Sequence, residues 1–332
     1  MQLARLARTP LCELPTPLQR ATRLEAALGK RAPRIHLKRD DLTGLAFGGN
    51  KGRKLEYLVA DALAQGATTL VSEGAIQSNH ARMTAAAAAA RGLNCVLVLD
   101  ARHGEAVVGN LLLDRLFGAE VRVAPDAETR AALFVKTMED LCAAGERPYA
   151  IPTGGSVPLG AAGYVAAVEE LAGQLLTAGE APRRLYAATG SLGTQAGLVV
   201  GARAFSASYE VYGVAVSHPA ATLRERGVEL ANETAALIGL PVSFGPDDIC
   251  VDGGFVGDGY GVGTPGGLEA IQLLARTEAV LLDPVYSGKA MAALLAHIRA
   301  GEFSPDESVV FLHTGGGPSL FAHGEALLAT NA

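Results

Sequence analysis

The chain of 332 residues contains no tryptophan, and aromatic residues make up only 5% of it. Proline is sparse as well, with 16 residues, whereas glycine reaches 40. A glycine excess without a proline excess is untypical of disordered or collagen-like chains, so we assign the glycines to an ordered fold. A chain of this length can bury a large core and is expected to form one large or two moderate domains.

Basic charge and paired cysteines are also lacking. The 28 basic residues against 34 acidic ones give a net charge of −6. Because no basic stripe is visible, we expect no nucleic-acid partner. The cysteines Cys12, Cys95, Cys142 and Cys250 form no CxxC pair and have no zinc-like spacing to the histidines. We therefore expect no metal site and a reducing compartment.

Long apolar runs are missing too. No segment approaches the about 18 uninterrupted apolar residues that a membrane-spanning helix needs. The opening residues, MQLARLARTPLCELPTP, interrupt their leucines with arginines and build no apolar region of the signal-peptide kind. We expect a soluble, cytoplasmic protein with no membrane partner.

What the sequence does contain is an alternation of short apolar segments with segments of helical period. The predicted strands are 35–38, 69–72, 95–99, 120–123, 185–188, 211–216 and 309–312. The predicted helices are 51–65, 79–91, 107–116, 128–144, 164–176, 194–205 and 287–299. This alternation is typical of an α/β fold with a parallel sheet covered by helices.

Two segments are dense in glycine or proline. Residues 151–163 are the best candidate for a crossing between two lobes. Residues 252–267 predict a long ordered loop, and its aromatic residues Phe255 and Tyr260 favour a functional one. The match to GxGxxG inside this loop follows no predicted strand and contains Pro265, which argues against a dinucleotide site.

A tight turn follows the predicted strand 185–188 and leads into a helix. The turn consists of Thr189, Gly190, Ser191, Leu192, Gly193 and Thr194. Backbone N–H groups and hydroxyls at a helix N-terminus form a ready phosphate site. The same hydroxyls could instead only cap the helix. The turn by itself does not separate these two interpretations.

Another glycine turn, GGNKGRKLEYL, opens a helix with Lys51, Arg53 and Lys54 in its first turn. Positive charge there opposes the helix dipole, so the pattern favours a bound anion or a lysine with a lowered pKa. A lysine of this kind is suited to nucleophilic attack on a carbonyl group. The alternative is a basic surface turn with solvated side chains.

Polar residues also cluster at three further predicted strand ends. GAIQSNH precedes an alanine-rich helix and has more polar residues than an N-cap requires. DPVYSGK and HTGGG lie near the C-terminal end of the chain. Because ligands bind at the carboxyl ends of strands in open α/β sheets, all three segments are candidate parts of one site.

Together these segments resemble the fold-type II pyridoxal-phosphate enzymes, and among them the D-cysteine desulfhydrase / aminocyclopropanecarboxylate (ACC) deaminase family. The matching blocks, in the family's order, are KRDDLTG, GGNKGRKLEYL, EGAIQSNHARMTAAAA, ATGSLGTQAG, LLDPVYSGKAM and FLHTGGGPSLF. The resemblance implies a tryptophan synthase beta-like α/β fold with two open, twisted, mostly parallel sheets flanked by helices. It implies a larger cofactor-binding domain (1–51 and 161–332), a smaller domain (52–160), pyridoxal 5'-phosphate in the cleft and a homodimer.

The resemblance also assigns roles to individual residues. Lys51 would hold the cofactor covalently and, once released, move the Cα proton of a small amino-acid substrate. Asn79 would hydrogen-bond the phenolic oxygen of the ring, and Ser78 would lie near the substrate carboxylate or its Cα. Tyr260 and Tyr286 would face the substrate, where their phenols could exchange protons. Packing with a satisfied hydroxyl is the alternative for each tyrosine.

These roles define the predicted site. Its catalytic residues are Lys51, Ser78, Tyr260 and Tyr286. Its cofactor contacts are Lys51, Lys54, Asn79, Thr189, Gly190, Ser191, Leu192, Gly193, Thr194, Ser287 and Thr314. Its substrate contacts are Ser78, Asn79, His80, Tyr260 and Tyr286.

One position departs from part of the family. ACC deaminases carry a glutamate where this chain has Ser287, and a hydroxyl cannot keep the ring nitrogen charged as a carboxylate can. The ring would then be a weaker electron sink, which suits elimination of a good leaving group better than opening of a cyclopropane. Thr314 is a second hydroxyl candidate for the same nitrogen, and the sequence does not choose between them.

The expected reaction is therefore α,β-elimination, with conversion of D-cysteine to pyruvate, hydrogen sulfide and ammonia as the first hypothesis. An L-cysteate sulfo-lyase, which releases sulfite, is the alternative, and a sulfonate-binding cation would mark it. We expect Lys289 and Arg82 on solvated helix faces rather than in that role. ACC deaminase and a non-catalytic protein that binds the cofactor or an amino acid are further alternatives.

Overall fold

The computed structural model describes residues 1–101, 104, 106–324 and 327. Within them, the strands are β1 (Leu18–Arg20), β2 (Arg34–Lys38), β3 (Thr69–Ala75), β4 (Asn94–Asp100), β5 (Glu120–Ala124), β6 (Pro148–Ile151), β7 (Arg184–Thr189), β8 (Glu210–Ala215), β9 (Cys250–Asp252) and β10 (Ser308–Leu312). The helices are α1 (Thr22–Leu28), α2 (Lys51–Ala64), α3 (Asn79–Arg91), α4 (Gly109–Leu116), α5 (Ala127–Ala143), α6 (Pro158–Ala178), α7 (Gly193–Ala204), α8 (Ala220–Leu237), α9 (Pro265–Glu278) and α10 (Ser287–Arg299). No helix in this described part is long and apolar enough to cross a bilayer.

In the described part of the chain, the strands form two sheets. The larger sheet has the order β1-β2-β10-β7-β8-β9, and every neighbouring pair is parallel except β1 with β2. The smaller sheet has the order β5-β4-β3-β6 and is parallel throughout. The predicted α/β fold with two mostly parallel sheets flanked by helices is confirmed.

Helices cover both faces of the larger sheet, and its central strands β7 and β10 are accordingly apolar along most of their length. Tyr164 and Leu198 belong to the core formed with α6, α7 and α8. Leu24 and Leu294 belong to the core on the opposite face, formed with α1, α9 and α10. A third core, which includes Leu58, joins the smaller sheet to α2, α3 and α4.

All predicted strands and helices overlap observed elements, but two predicted loops are shorter than expected. The crossing 151–163 ends early because α6 begins at Pro158, whose constrained φ suits the first turn of a helix. The loop 252–267 ends at Thr264, whose Oγ1 accepts a hydrogen bond from the Gly267 N–H (3.1 Å) as the N-cap of α9. The glycines that suggested loops thus lie partly in first turns of helices.

Candidate active site

A cavity of about 680 Å³ opens at the carboxyl ends of β3, β7 and β10. Of the residues predicted for the site, it is lined by Lys51, Ser78, Asn79, His80, Thr189, Gly190, Ser191, Leu192, Thr194, Tyr260, Tyr286 and Thr314. Three predicted residues, Lys54, Gly193 and Ser287, lie behind this wall rather than in it. The fold thus brings segments of both sheets to one place, as ligand sites of open α/β sheets require.

Lys51 is the first residue of α2 and lines the cavity. Its Nζ donates a hydrogen bond to Asn50 Oδ1 (2.8 Å), and Asn50 Nδ2 donates to Thr194 Oγ1 (2.9 Å). Burial, together with the positive charge of Arg82, lowers the pKa of Lys51 to about 8. The neutral amine is therefore accessible near physiological pH, as attack on a carbonyl group requires.

The other two cations of the first turn of α2 have different surroundings. The Arg53 guanidinium forms ion pairs with Asp40 (2.8 Å) and Glu170 (2.9 Å). Lys54 is buried, and its Nζ donates to the Gly154 carbonyl (3.0 Å). Burial and the charge of Lys51 lower the pKa of Lys54 well below its ordinary value. No ion pair of Lys54 with a carboxylate occurs among the described residues, so a bound anion would stabilise its charged form.

The predicted phosphate turn before α7 packs directly on the segment 152–156. A Cβ added to Gly193 would lie 2.8 Å from Ser156 Oγ and 2.9 Å from Lys54 Nζ, so only glycine fits there. Ser156 Oγ donates to Ser191 Oγ (2.8 Å) and accepts from the Gly193 N–H (3.1 Å). The backbone N–H groups at the start of α7 complete a cradle suited to a phosphate.

His80 is a second buried residue whose surroundings suit a ligand. It lines the cavity from α3, is only 3% exposed, and its ring makes no hydrogen bond with a side chain of the described residues. Burial and the charges of Lys51 and Lys54 lower the pKa of His80 well below its ordinary value, against the opposing effect of the Pro152 backbone. Buried polar atoms in native proteins nearly always have partners. The cradle, Lys54 and His80 therefore fit the phosphate of pyridoxal phosphate, with Lys51 on the same cavity wall.

Two tyrosines lie on another part of the cavity wall. The hydroxyls of Tyr260 and Tyr286 are 2.5 Å apart, and their rings pack edge to face with centroids 5.8 Å apart. Burial and the neighbouring Tyr260 raise the pKa of Tyr286 well above its ordinary value. Tyr286 is therefore protonated across the physiological range, and the pair can pass a proton to a group in the cavity.

Lys289 and Arg82 do not lie on solvated helix faces, so that prediction is wrong. Both side chains are 0% exposed. Lys289 Nζ donates to the carbonyls of Val256 (2.7 Å) and Gly259 (2.9 Å), which ties the loop that carries Tyr260 to α10. Each cation is buried because backbone carbonyls accept its hydrogen bonds, a pattern that helical periodicity does not reveal.

The two hydroxyls considered for the ring nitrogen differ in their surroundings. Ser287 Oγ donates to Asp283 Oδ1 (2.6 Å) and accepts from the Asp283 N–H (2.8 Å), and Ser287 does not line the cavity. Thr314 lines the cavity, and its side chain makes no hydrogen bond within the described residues. Asp283 also accepts from the N–H of Tyr286 (2.9 Å) and so helps to orient this tyrosine. The geometry favours Thr314 over Ser287.

Sequence reasoning gave no role to three residues that line the cavity and position its groups, namely Asn50, Ser156 and Asp283. Asn50 stands beside Lys51 and Asp283 stands four residues before Ser287, so their positions next to predicted residues were available signals. Ser156 lies 35 residues from its partner Ser191 and carries no local signal.

Comparisons with known proteins agree with this geometry. The family model described as "Pyridoxal-phosphate dependent enzyme" matches residues 10–315. A D-cysteine desulfhydrase of Yersinia enterocolitica (serotype O:8 / biotype 1B) is 44% identical over 97% of this chain and 97% of its own length. A D-cysteine desulfhydrase of Salmonella choleraesuis (strain SC-B67) is also 44% identical, over 97% of this chain and 99% of its own length.

Among solved structures, the chain is similar to an ACC deaminase homologue, with a TM-score of 0.90 and 36% identity. The alignment covers 99% of this chain and 97% of that one. A threonine deaminase of T.th., at 22% identity and a TM-score of 0.67 over 91% of this chain and 92% of that one, shares the fold. The phosphate cradle, the buried lysine and these matches lead to one conclusion: the chain belongs to the family of pyridoxal-phosphate dependent enzymes.

Proposed function

We propose that the protein converts D-cysteine and water to pyruvate, hydrogen sulfide and ammonia. The observation that carries the proposal is the 44% identity, over nearly the full length, to proteins named D-cysteine desulfhydrase. It is supported by a cavity that combines a buried lysine with a pair of hydroxyls. The reaction breaks the Cα–H and Cβ–S bonds of the substrate, and water then replaces the nitrogen at Cα.

The residues around the cavity have distinct tasks in this proposal. Pyridoxal phosphate, when bound, supplies an electron-withdrawing ring for the charge released at Cα. Lys51 would hold the cofactor covalently and, once released as a neutral amine, would accept the Cα proton at its Nζ. The cradle with Lys54 and His80 would bind the phosphate, and Thr314 would contact the ring nitrogen. Ser78, the N-cap of α3, orients the substrate.

The Tyr260 and Tyr286 hydroxyls protonate the departing sulfur. Because the two oxygens are 2.5 Å apart, one hydroxyl can donate a proton to the leaving group while the second hydroxyl donates a hydrogen bond to the first. Cleavage of the Cβ–S bond releases the sulfur as HS⁻, and a proton donated by this pair converts it to hydrogen sulfide, so general acid catalysis assists the cleavage.

Two arginines lie at the wall of the cavity and bear on the L-cysteate alternative. The Arg130 guanidinium forms ion pairs with Glu73 (3.0 Å) and with Asp100, so its charge is matched without a sulfonate. Arg226 forms no ion pair among the described residues, so the cavity also holds a cation that a sulfonate could use. The relatives named D-cysteine desulfhydrase, rather than the charge of the cavity, therefore favour the thiol. Ser287, in place of a glutamate, weakens the ACC deaminase alternative.

Parallel incubation of the cofactor-loaded protein with D-cysteine, L-cysteate and ACC tests the proposal. We expect pyruvate and sulfide in equal amounts from D-cysteine and no comparable product from the other two. Sulfite from L-cysteate, or ammonia from ACC at a higher rate, would assign the protein to another branch. No product from any of the three would make it a non-catalytic binding protein.

We further propose the domain boundaries 1–51 with 161–332 and 52–160, a homodimer, and a cytoplasmic location. The smaller sheet, whose strands run from β3 to β6, falls inside 52–160.

The proposed dimer is supported by three large apolar side chains that are between 70% and 81% exposed, namely Leu116, Phe47 and Phe321. The elements that carry them all adjoin α3 or α4, so these side chains could form one interface. Light scattering should give about twice 34.1 kDa. A mass of one chain would contradict the dimer.

A further inference from the structure

A chain of buried polar groups runs from the turn before Lys51 to the cavity wall at Asn79. Arg82 donates through Nη2 to the Gly48 carbonyl (2.9 Å) and through Nη1 to Asn110 Oδ1 (3.2 Å). Asn110 Nδ2 donates to Asn79 Oδ1 (2.9 Å). None of these hydrogen bonds belongs to the regular pairing of a helix or a sheet.

The direction of each hydrogen bond in this chain is determined by chemistry. A guanidinium has donors only, so the Asn110 atom that faces Arg82 must be the oxygen. The other end of the Asn110 amide faces the carbonyl of Gln77 (2.7 Å), which only accepts, and so must be the nitrogen. The Asn79 atom that meets this nitrogen is therefore its oxygen.

We propose that Arg82 and Asn110 are positioning residues that hold the Asn79 amide with its Nδ2–H groups toward the cavity. The Asn79 Oδ1 is then held by Asn110, and the Asn79 Nδ2–H groups are left to donate to an anionic oxygen in the cavity. The inference rests on the proposed placement of the cofactor's phenolic oxygen at Asn79, since a phenolate needs donors. Without the relay, the amide could rotate and present its oxygen instead.

The surroundings of Arg82 support a role beyond packing. Its Nε has no hydrogen-bond partner among the described residues, and neither does the buried carboxyl group of the neighbouring Asp114. Burial raises the pKa of Asp114 to about 8, against the opposing charge of Arg82. A buried cation is costly to keep beside a carboxyl group whose ionisation is opposed by burial, because its charge is then poorly balanced. The presence of Arg82 is explained by its two contacts, since it fixes the Gly48 carbonyl directly and the Asn79 amide through Asn110.

The variant Asn110→Asp tests the proposal on the cofactor-loaded protein without substrate. The aspartate keeps the shape of the side chain but replaces the donor by an acceptor, so the Asn79 amide must rotate. The phenolic oxygen then loses a donor, and its anionic form is destabilised. We expect the pH midpoint of the visible absorbance change of the loaded protein to rise by about one unit, the effect of one hydrogen bond to a charged group.

Asn232→Asp is the matched control. Asn232 Nδ2 donates to the carbonyls of Val228 and Phe244 (both 3.0 Å), and its Oδ1 accepts from the Phe244 N–H (2.9 Å). Like Asn110, this residue donates through Nδ2 to a backbone carbonyl, but its partners Val228 and Phe244 do not line the cavity. We expect a loss of stability and an unchanged absorbance midpoint.

A double-mutant cycle completes the test. In an Asn79→Ala background, Asn110→Asp should cause no further shift of the midpoint, because the relay acts through Asn79. An unchanged midpoint in Asn110→Asp, an equal shift in Asn232→Asp, or a full shift in the Asn79→Ala background would overturn the proposal. If Asn110→Asp does not load cofactor, Asn110→Leu removes the donor at similar volume and should give a smaller rise. Inactivity toward D-cysteine would leave these absorbance results unaffected, so the two proposals fail separately.

Discussion

Replacement of Lys51 by alanine is expected to lower kcat for D-cysteine elimination by at least about 10³-fold, the scale of losing a positioned acid-base group. The same variant should lose the covalent bond to the cofactor. Lys51 opens α2 at the cavity wall, and burial beside Arg82 keeps its amine partly neutral. Borohydride reduction followed by mass measurement should label the natural protein and leave the variant unlabelled.

The control for this experiment is Lys136→Ala. Lys136 is 66% exposed and pairs with Asp140 on the same helix (3.0 Å), so its loss should change neither the label nor the rate. Added methylamine should restore part of the rate in Lys51→Ala, since a small amine can take the Cα proton. Turnover at the natural rate in Lys51→Ala would remove Lys51 from the mechanism.

The second large effect is expected on stability. Arg53→Met should lower the free energy of unfolding by about 3–5 kcal/mol, the usual result of leaving buried charges without a partner. Arg53 binds both Asp40 and Glu170, and Lys38 donates to Glu170 in the same buried network. Tyr164 donates to Asp40 (2.6 Å) from α6. Removal of Arg53 leaves two carboxylates with one cation.

Denaturant titration measures this loss, and Arg299→Met is its control. Arg299 pairs with Glu269 on the surface, where both side chains are about half exposed, so its loss should cost only about 0.2–1 kcal/mol. Equal losses in the two variants would contradict the importance of the network.

The effect of Arg53→Met should also depend on pH. Although burial opposes ionisation, Arg53 holds the pKa values of Asp40 and Glu170 below their ordinary values. A carboxyl group with a lowered pKa stabilises the fold above its unfolded-state pKa, and this contribution is lost as the pH falls through the folded-state value. The difference between Arg53→Met and the natural protein should therefore be full near neutral pH and shrink in acid.

Much of the fold could be predicted because buried parallel strands are short apolar runs between helical patterns. The strands β1 and β9 have only three residues each and are too short for any periodicity to show. Helix α8 is not among the predicted helices, and a Cβ on its Gly227 would lie 2.8 Å from Ile249 Cγ2. That glycine allows close packing, which depends on a residue 22 positions away.

In the site, too, features set by neighbouring residues could be predicted, and features set by residues far apart in the sequence could not. Lys51 and the turn before α7 could be predicted because each motif lies at a strand end followed by a helix. Ser287 illustrates the limit, since its hydroxyl is bonded to Asp283 and the residue does not line the cavity. The polarity of the Asn79 amide depends on Asn110, which is 31 residues away and lies in a helix with no sequence motif. The direction of a hydroxyl or an amide group depends on the residues packed against it in the fold, and a local stretch of sequence does not contain that information.

The position of β10 in the larger sheet has a consequence for synthesis on the ribosome. The last strand of the chain lies between β2 and β7, so it is the sole bridge between the first strands and β7 to β9 within the described residues. The smaller sheet contains only strands from 69 to 151 and can pair before the later half has emerged. The larger sheet must wait for residues 308–312, and until then the edges of β2 and β7 remain open to wrong partners. Nascent chains should therefore need protection from aggregation until synthesis is nearly complete.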